Sequence, residues 1–146
     1  MTGGAPGQPR YAEIVVGHRW PPRTVVPTTV QLFLFSAATG NPHRIHYDKP
    51  YAVEVAGHRD LLVHGPLMAA LLAATLSTWL GPASQLARMS VQNRASACVD
   101  QPLLIAAAVT GKRDDGSRKL IDLDVSVSRD DGVACVHGTA LVRLPQ

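Results

Sequence analysis

Residues 61 to 81 read LLVHGPLMAALLAATLSTWLG. Gly65-Pro66 opens a helix here, because proline suits the first turn, where a missing N–H leaves no bond unmade. Gly81-Pro82 closes it. Between these signals the residues are apolar on nearly every face, which predicts a buried helix rather than one laid on a surface. Ala69, Ala70, Ala73 and Ala74 let neighbouring backbones approach closely. Thr75, Ser77 and Thr78 interrupt the apolar run, and the helix is shorter than a typical membrane span of about 20 residues. A helix of this type needs a sheet wrapped around it.

The rest of the chain supplies one. KLIDLDVSVS (119–128) alternates, with Ile121, Leu123, Val125 and Val127 facing one way and Asp122, Asp124, Ser126 and Ser128 the other. Further strands are expected at 86–99, 103–113 and 133–144. Asp114-Asp115-Gly116-Ser117 and Asp130-Asp131-Gly132 are turn sequences, and Asp100-Gln101-Pro102 is turn-like, so the four strands are expected to form an antiparallel meander. Before the helix, 14–16 and 24–26 read as extended, with Trp20-Pro21-Pro22 between them. Thr28 is a candidate N-cap and Gly40 a C-terminal stop for a helix over 29–39, although VQLFLF (30–35) also fits a strand. Asp48-Lys49-Pro50 starts a short helix through Val55. The fold class is α+β: one domain over residues 10–146, preceded by a flexible lead, MTGGAPGQP. One long buried helix wrapped by a curved antiparallel sheet is the hot-dog arrangement.

Composition narrows the function. The chain has 146 residues, 46% of them hydrophobic and only 5% aromatic, so the core is aliphatic. Net charge is +3, with the basic residues scattered. No basic stripe with interleaved aromatics is present, which argues against nucleic acid and fits an anionic small ligand or an acidic carrier. Cys98 and Cys135 form no C-x-x-C pair and read as thiols in a reducing cytoplasm. The first residues lack a charged start followed by an apolar run, so no signal peptide or membrane anchor is expected.

Chemistry concentrates in GNPHRIHYDKPYA (40–52). From Asn41 to Asp48 stand an amide, two histidines, an arginine, a tyrosine and a carboxylate. His46 suits a general base, since its ordinary pKa of about 6.5 lies near working pH. Otherwise it is a loop histidine bonded to backbone. Asn41 carries no proton near neutrality; it orients a water or a substrate, or simply builds a turn after Gly40. His43 is either a second proton carrier or a buttress for His46. Asp48 either fixes the tautomer of His46 or caps the helix that follows. The spacing of His43, His46 and Asp48 permits a metal, but no cysteine or second histidine pair stands nearby, so no metal is expected. Gly65 opens the buried helix, where the first N–H groups lack internal partners and the dipole is positive. Pro66 has no N–H, so Gly65 is the natural backbone donor to a ligand oxygen placed there, with His64 bounding the pocket; otherwise Gly65 is a simple helix cap.

FSAATGNPHRIHYDKPYA (35–52) followed by VHGPL (63–67) resembles the MaoC-like hydratase/dehydratase family, which includes the (R)-specific enoyl-CoA hydratases. That family's loop runs T-G-D-x-N-P-x-H-x-D and ends in Tyr-Ala, and its helix begins His-Gly. VGHRWPP (16–22) is similar to its opening strand and turn. The chain departs from the pattern where Asn41 stands for the aspartate five residues before His46, and where His43 stands for the asparagine. In this it is similar to the branch holding mesaconyl-type hydratases and mitochondrial 3-hydroxyacyl-thioester dehydratases. The resemblance implies a hydro-lyase that needs no cofactor or metal and acts on a 2-enoyl thioester of coenzyme A or an acyl carrier. Its catalytic positions would be His46, Asn41, His43 and Gly65, with Asp48, His64 and Pro66 on the substrate side. It also implies side-by-side pairing of hot-dog domains, as a homodimer or with another hot-dog subunit. Two alternatives are a non-catalytic partner subunit, which Asn41 suggests, and a hot-dog thioesterase.

Overall fold

The alternating run at 119–128 becomes the middle of the sheet. In a computed structural model, which describes residues 8–145, it lies within β4 (Lys119–Arg129). The neighbours β3 (Leu103–Asp114) and β5 (Ala134–Leu144) pair with it antiparallel. Ile121, Leu123, Val125 and Val127 are buried, as the alternation requires. Two shorter strands complete the sheet. β1 (Arg23–Val25) pairs with β3 and β2 (Gln85–Asn93) with β5, giving the order β1-β3-β4-β5-β2. A Cβ on Gly138 of β5 would run into the carbonyl of Ser90 and into Val91, so glycine is what lets β5 and β2 come together.

The expected four-strand meander is therefore corrected at one end. The strand read as 86–99 stops at Asn93, and it borders β5 rather than β3. Past Arg94 and Ala95, whose N–H groups still reach Cys135 of β5, the backbone pairs with a different segment. Arg94 N–H donates to the Cys135 carbonyl at 2.8 Å, Val63 N–H to Ala97 O and Val99 N–H to Leu61 O, both at 2.9 Å. Residues 97–99 thus pair with the segment ahead of the long helix. Asp100 takes a positive φ of 60° and donates to Pro27 O, which turns the chain into a crossover instead of a hairpin. Cys98 accordingly lies outside β2, in an isolated bridge with Leu62.

The extended reading of 14–16 is also corrected. Ile14 is buried, but Val15 and Val16 are exposed, and Gly17 turns the chain at φ 89°. Pairing starts only at Gly17 and His18, which exchange hydrogen bonds with Val109, and at Arg19, which bridges to Ala108.

The helix alternative wins for VQLFLF. α1 (Thr29–Thr39) is capped by Thr28 Oγ1, which accepts from Gln31 N–H at 3.2 Å, and ends at Gly40 in the left-handed region. Leu32 and Ser36 face inward, four residues apart, while Val30, Phe33 and Leu34 face out. α2 (Gly65–Leu80) is the long helix, and Leu67, Met68, Leu72, Thr75, Leu76 and Leu80 bury against the sheet. It is not enclosed on every side, however. Pro66, Ala70, Ala74, Ser77 and Thr78 form one exposed stripe, because a single five-stranded sheet wraps only part of the helix. The hot-dog arrangement is otherwise as expected.

Of the expected flexible lead, residues 1–7 lie outside the described residues. Gln8 fastens the end of α2, donating to Leu80 O at 2.5 Å and accepting from Ala83 N–H at 2.9 Å. Among the described residues, no helix is long and apolar enough to cross a membrane.

Candidate active site

The loop after α1 is tied down by its own side chains. A 3-10 turn at Arg44–His46 leads into a π-helical turn at Tyr51–Val55. Asp48 joins the two: Oδ1 accepts from Tyr51 N–H at 3.2 Å, and Oδ2 from the Arg44 guanidinium at 2.7 and 2.9 Å. The same guanidinium lies over the Tyr51 ring at 4.2 Å. Asp48 is therefore the cap of the two readings, and Arg44 holds its carboxyl below the usual carboxylate range. Tyr47 O–H donates to Pro42 O, and Leu62 N–H to Ile45 O.

His46 emerges from this turn with only 9% of its surface exposed. Its Nδ1 lies 2.8 Å from the carbonyl of Leu62. A carbonyl only accepts, so Nδ1 carries the hydrogen and Nε2 keeps its lone pair. Leu62, rather than Asp48, thus fixes the tautomer. Burial lowers the pKa of His46; the Leu62 carbonyl partly offsets this, and His43 adds to it.

His64 is wholly buried. Its ring stacks on that of His46, 3.7 Å between centroids and 18° between planes. The Phe35 ring is tilted against that of His64, 4.9 Å between centroids. Nε2 of His64 is 2.8 Å from Ser36 Oγ, while Nδ1 has no hydrogen-bonding partner among the described residues. Burial, with the neighbouring His46, pushes the pKa of His64 down to about 4.

Asn41 builds the turn at the head of the loop, accepting from His43 N–H at 3.0 Å. The His43 ring is exposed and 5.9 Å from that of His46. Asn41, Ser36, Phe33 and Tyr47 line a cavity of about 300 Å³. The start of α2 opens on a second groove, of about 360 Å³, lined by Gly65, Met68, Asn93 and Arg94 among others. His64 occupies the N-cap position, yet its side chain turns inward and does not cap. The first N–H groups of α2 thus have no side-chain cap from His64 and no side-chain acceptor among the described residues. The Asn93 carboxamide lies where a Cβ on Gly65 would fall, 2.5 Å away.

His43 thus lies beside both His46 and Asn41, whereas Gly65 is linked to His46 only through its neighbour His64 and opens on a different groove from the one that Asn41 lines. Asp48 is committed to Arg44, and Pro66 is exposed. Ser36 escaped the sequence reading, though a signal existed: with Leu32 it marks the inward face of α1, and a polar group there needs a partner. Asn93 gave no signal, because its contact depends on where β2 ends. Among the described residues, no group of three or more His, Cys, Asp or Glu side chains gathers as a metal site.

Residues 11–99 match the family model of hydroxyacyl-thioester dehydratase type 2. A mesaconyl-C(4)-CoA hydratase of Chloroflexus aurantiacus is 53% identical over 70 residues, covering 47% of this chain and 25% of the relative. A mitochondrial hydroxyacyl-thioester dehydratase type 2 of Schizosaccharomyces pombe is 30% identical over 95 residues, covering 64% and 31%. The chain thus spans between a quarter and a third of the length of these relatives. An R-hydratase of Pseudomonas aeruginosa, solved in its unliganded form, superposes with a TM-score of 0.85 at 24% identity, covering 93% of this chain and 85% of that one. That likeness establishes a shared hot-dog fold.

Proposed function

Since the chain belongs to the hydroxyacyl-thioester dehydratase type 2 family, we propose that it adds water reversibly across the double bond of a 2-enoyl thioester carried by coenzyme A or an acyl carrier. The matched relatives are by name a mesaconyl-C(4)-CoA hydratase and a hydroxyacyl-thioester dehydratase, names that stand for the addition and the removal of water. In hydration, His46 Nε2 takes a proton from water as the water oxygen bonds to the β-carbon. The double-bond electrons move toward the thioester oxygen, and the Gly65 N–H stabilises the charge that gathers there. A proton then returns to the α-carbon, with His43 as its carrier, and the C–O bond and new C–H bond complete the 3-hydroxyacyl product. Asn41 orients the water through its amide. A net charge of +3 suits the anionic handle of either carrier.

One observation carries the reading. The carbonyl of Leu62, a residue three positions before the uncapped start of α2 at Gly65, leaves His46 with a bare Nε2. The test is a spectrophotometric hydration assay on a panel of enoyl-CoA esters. The wild type should hydrate at least one of them, and His46→Gln should lose about 10²-fold or more in turnover while staying folded. A folded His46→Gln protein with undiminished turnover would remove the base.

The active form is proposed to be a pair of hot-dog modules, either two copies of this chain or this chain with another hot-dog subunit. Val30, Phe33 and Leu34 on α1 are 65%, 58% and 58% exposed, and the stripe through Ala70 and Ala74 leaves α2 partly open. Light scattering at micromolar concentration should give twice the monomer mass, unless a partner subunit has to be supplied.

A further inference from the structure

We propose that His64, anchored by Ser36, is a positioning residue: its buried ring is the plate on which the imidazole of His46 is laid, which fixes the direction in which Nε2 meets a proton. This rests on the reading of His46 as the base.

The geometry requires a second constraint on His46. One hydrogen bond, Nδ1–H to Leu62 O, fixes a point on the ring but leaves its plane free to turn about that bond. A flat contact removes this freedom. His64 supplies it at 3.7 Å and 18°. The plate must itself be held, and Ser36 Oγ does this at 2.8 Å from Nε2, with Phe35 tilted against the ring at 4.9 Å. Ser36 in turn sits on the inward face of α1 beside Leu32. The position of the base is thus set from α1, through Ser36 and His64, although α1 itself makes no hydrogen bond to His46.

The plate also has to stay neutral. Buried N–H groups without acceptors are rarer than buried acceptors without donors. The favoured tautomer therefore carries its hydrogen on Nε2 and donates to Ser36, leaving Nδ1 bare. A second proton on Nδ1 would be buried without a partner and face another imidazole. His46 is faced by His64 from the α2 side and by His43 from its own loop, while Arg44 and Asp48 of that loop are paired with each other.

Three variants of the full chain separate the parts of this device. His64→Phe keeps a flat ring and loses the anchor, His64→Gln keeps a group able to reach Ser36 and loses the flat ring, and Ser36→Ala deletes only the hydroxyl. Each is assayed for kcat and KM against pH, and the ring signals of His46 are titrated by NMR, which needs no substrate. We expect kcat to fall about tenfold in His64→Gln and severalfold in the other two, with KM changing less. In His64→Gln the His46 titration should also move upward, because water reaches its exposed face. Loss of stability alone would leave that titration where it was. Folded Phe and Gln variants with wild-type kcat and an unmoved His46 titration would overturn the proposal. If the His64 variants do not fold, Ser36→Ala decides, since unchanged kcat there means that the anchor does nothing. A fully active His46→Gln protein would instead sink the proposed function, whereas an inactive His46→Gln beside fully active His64 and Ser36 variants would sink this inference alone.

Discussion

The imidazoles of His46 and His64 lie ring on ring, 3.7 Å apart, and neither is free to gain a proton without penalty. For His64 the consequence is a pH-dependent stability. Its folded pKa of about 4 lies below the ordinary value of 6.5. Between these values the unfolded chain binds a proton that the folded chain refuses, so stability rises with pH there. The contribution is complete above pH 6.5 and is lost as pH falls toward 4, by roughly 3 kcal/mol at most. Urea midpoints measured from pH 7.5 to 4 should show this decline, and a folded His64→Gln protein should show a shallower one.

The same lowering in His46 acts on rate. The base works in its neutral form, which exists above its pKa. A depressed pKa therefore extends activity to lower pH than an ordinary histidine would allow. The acid limb of kcat/KM should fall below pH 6.5. An acid limb above 7 would mean that the essential group is not this buried histidine.

The sequence carried most of this architecture, for reasons that differ by residue. α2 was legible because Gly-Pro pairs bracket an apolar run, and β4 because its alternation admits only one face inward. Both are local signals. The end of β2 at Asn93 was not legible, since hydrogen bonds to Cys135, Leu61 and Val63 decide it, and these partners are distant in sequence. The exposed stripe on α2 was misread for a related reason: alanines satisfy a buried face and an exposed one equally. At the loop, the clustering of polar groups around His46 was legible, and the cap at Asp48 was legible from its place before Lys-Pro. The stacking of His46 on His64, and the anchoring of His64 by Ser36, require α1, the loop and α2 to converge, which no spacing along the chain encodes.

Gly65 meets two demands at once, an open helix start and room for Asn93. A side chain there would displace the Asn93 carboxamide, but Asn93 is exposed and free to swing away. Gly65→Val should therefore harm activity more than stability, with hydration down tenfold or more and the unfolding free energy changed by about 1 kcal/mol. Equal activity in the folded variant would take Gly65 out of the site.

Gly138 should show the reverse pattern. Its Cβ would strike backbone, the Ser90 carbonyl and Val91 of β2, and backbone within a paired sheet has nowhere to move. Gly138→Ala should cost about 1–3 kcal/mol or more, as overpacking does. Denaturant unfolding measures the loss, and the folded fraction should retain its specific activity. A stability within 0.5 kcal/mol of wild type, about the range of a neutral surface change, would mean that β5 and β2 are farther apart than described.

Asn41 holds the place where the resembled family has an aspartate, and replacing it distinguishes a working enzyme from a silent subunit. The Asn41 side chain accepts from His43 N–H through Oδ1. A carboxylate oxygen accepts the same bond, so Asn41→Asp should keep the turn and change only the charge. In a working site that charge favours the protonated form of His46 and raises its pKa. The acid limb then moves upward, and activity at neutral pH falls. In a subunit that had lost its catalytic carboxylate, the same substitution would restore an acid–base pair, and activity would appear or rise. We expect the fall, read as kcat/KM against pH for both proteins on the same panel of enoyl-CoA esters. A gain of tenfold, about 1.4 kcal/mol of transition-state stabilisation, would show instead that the chain is the partner of a catalytic subunit.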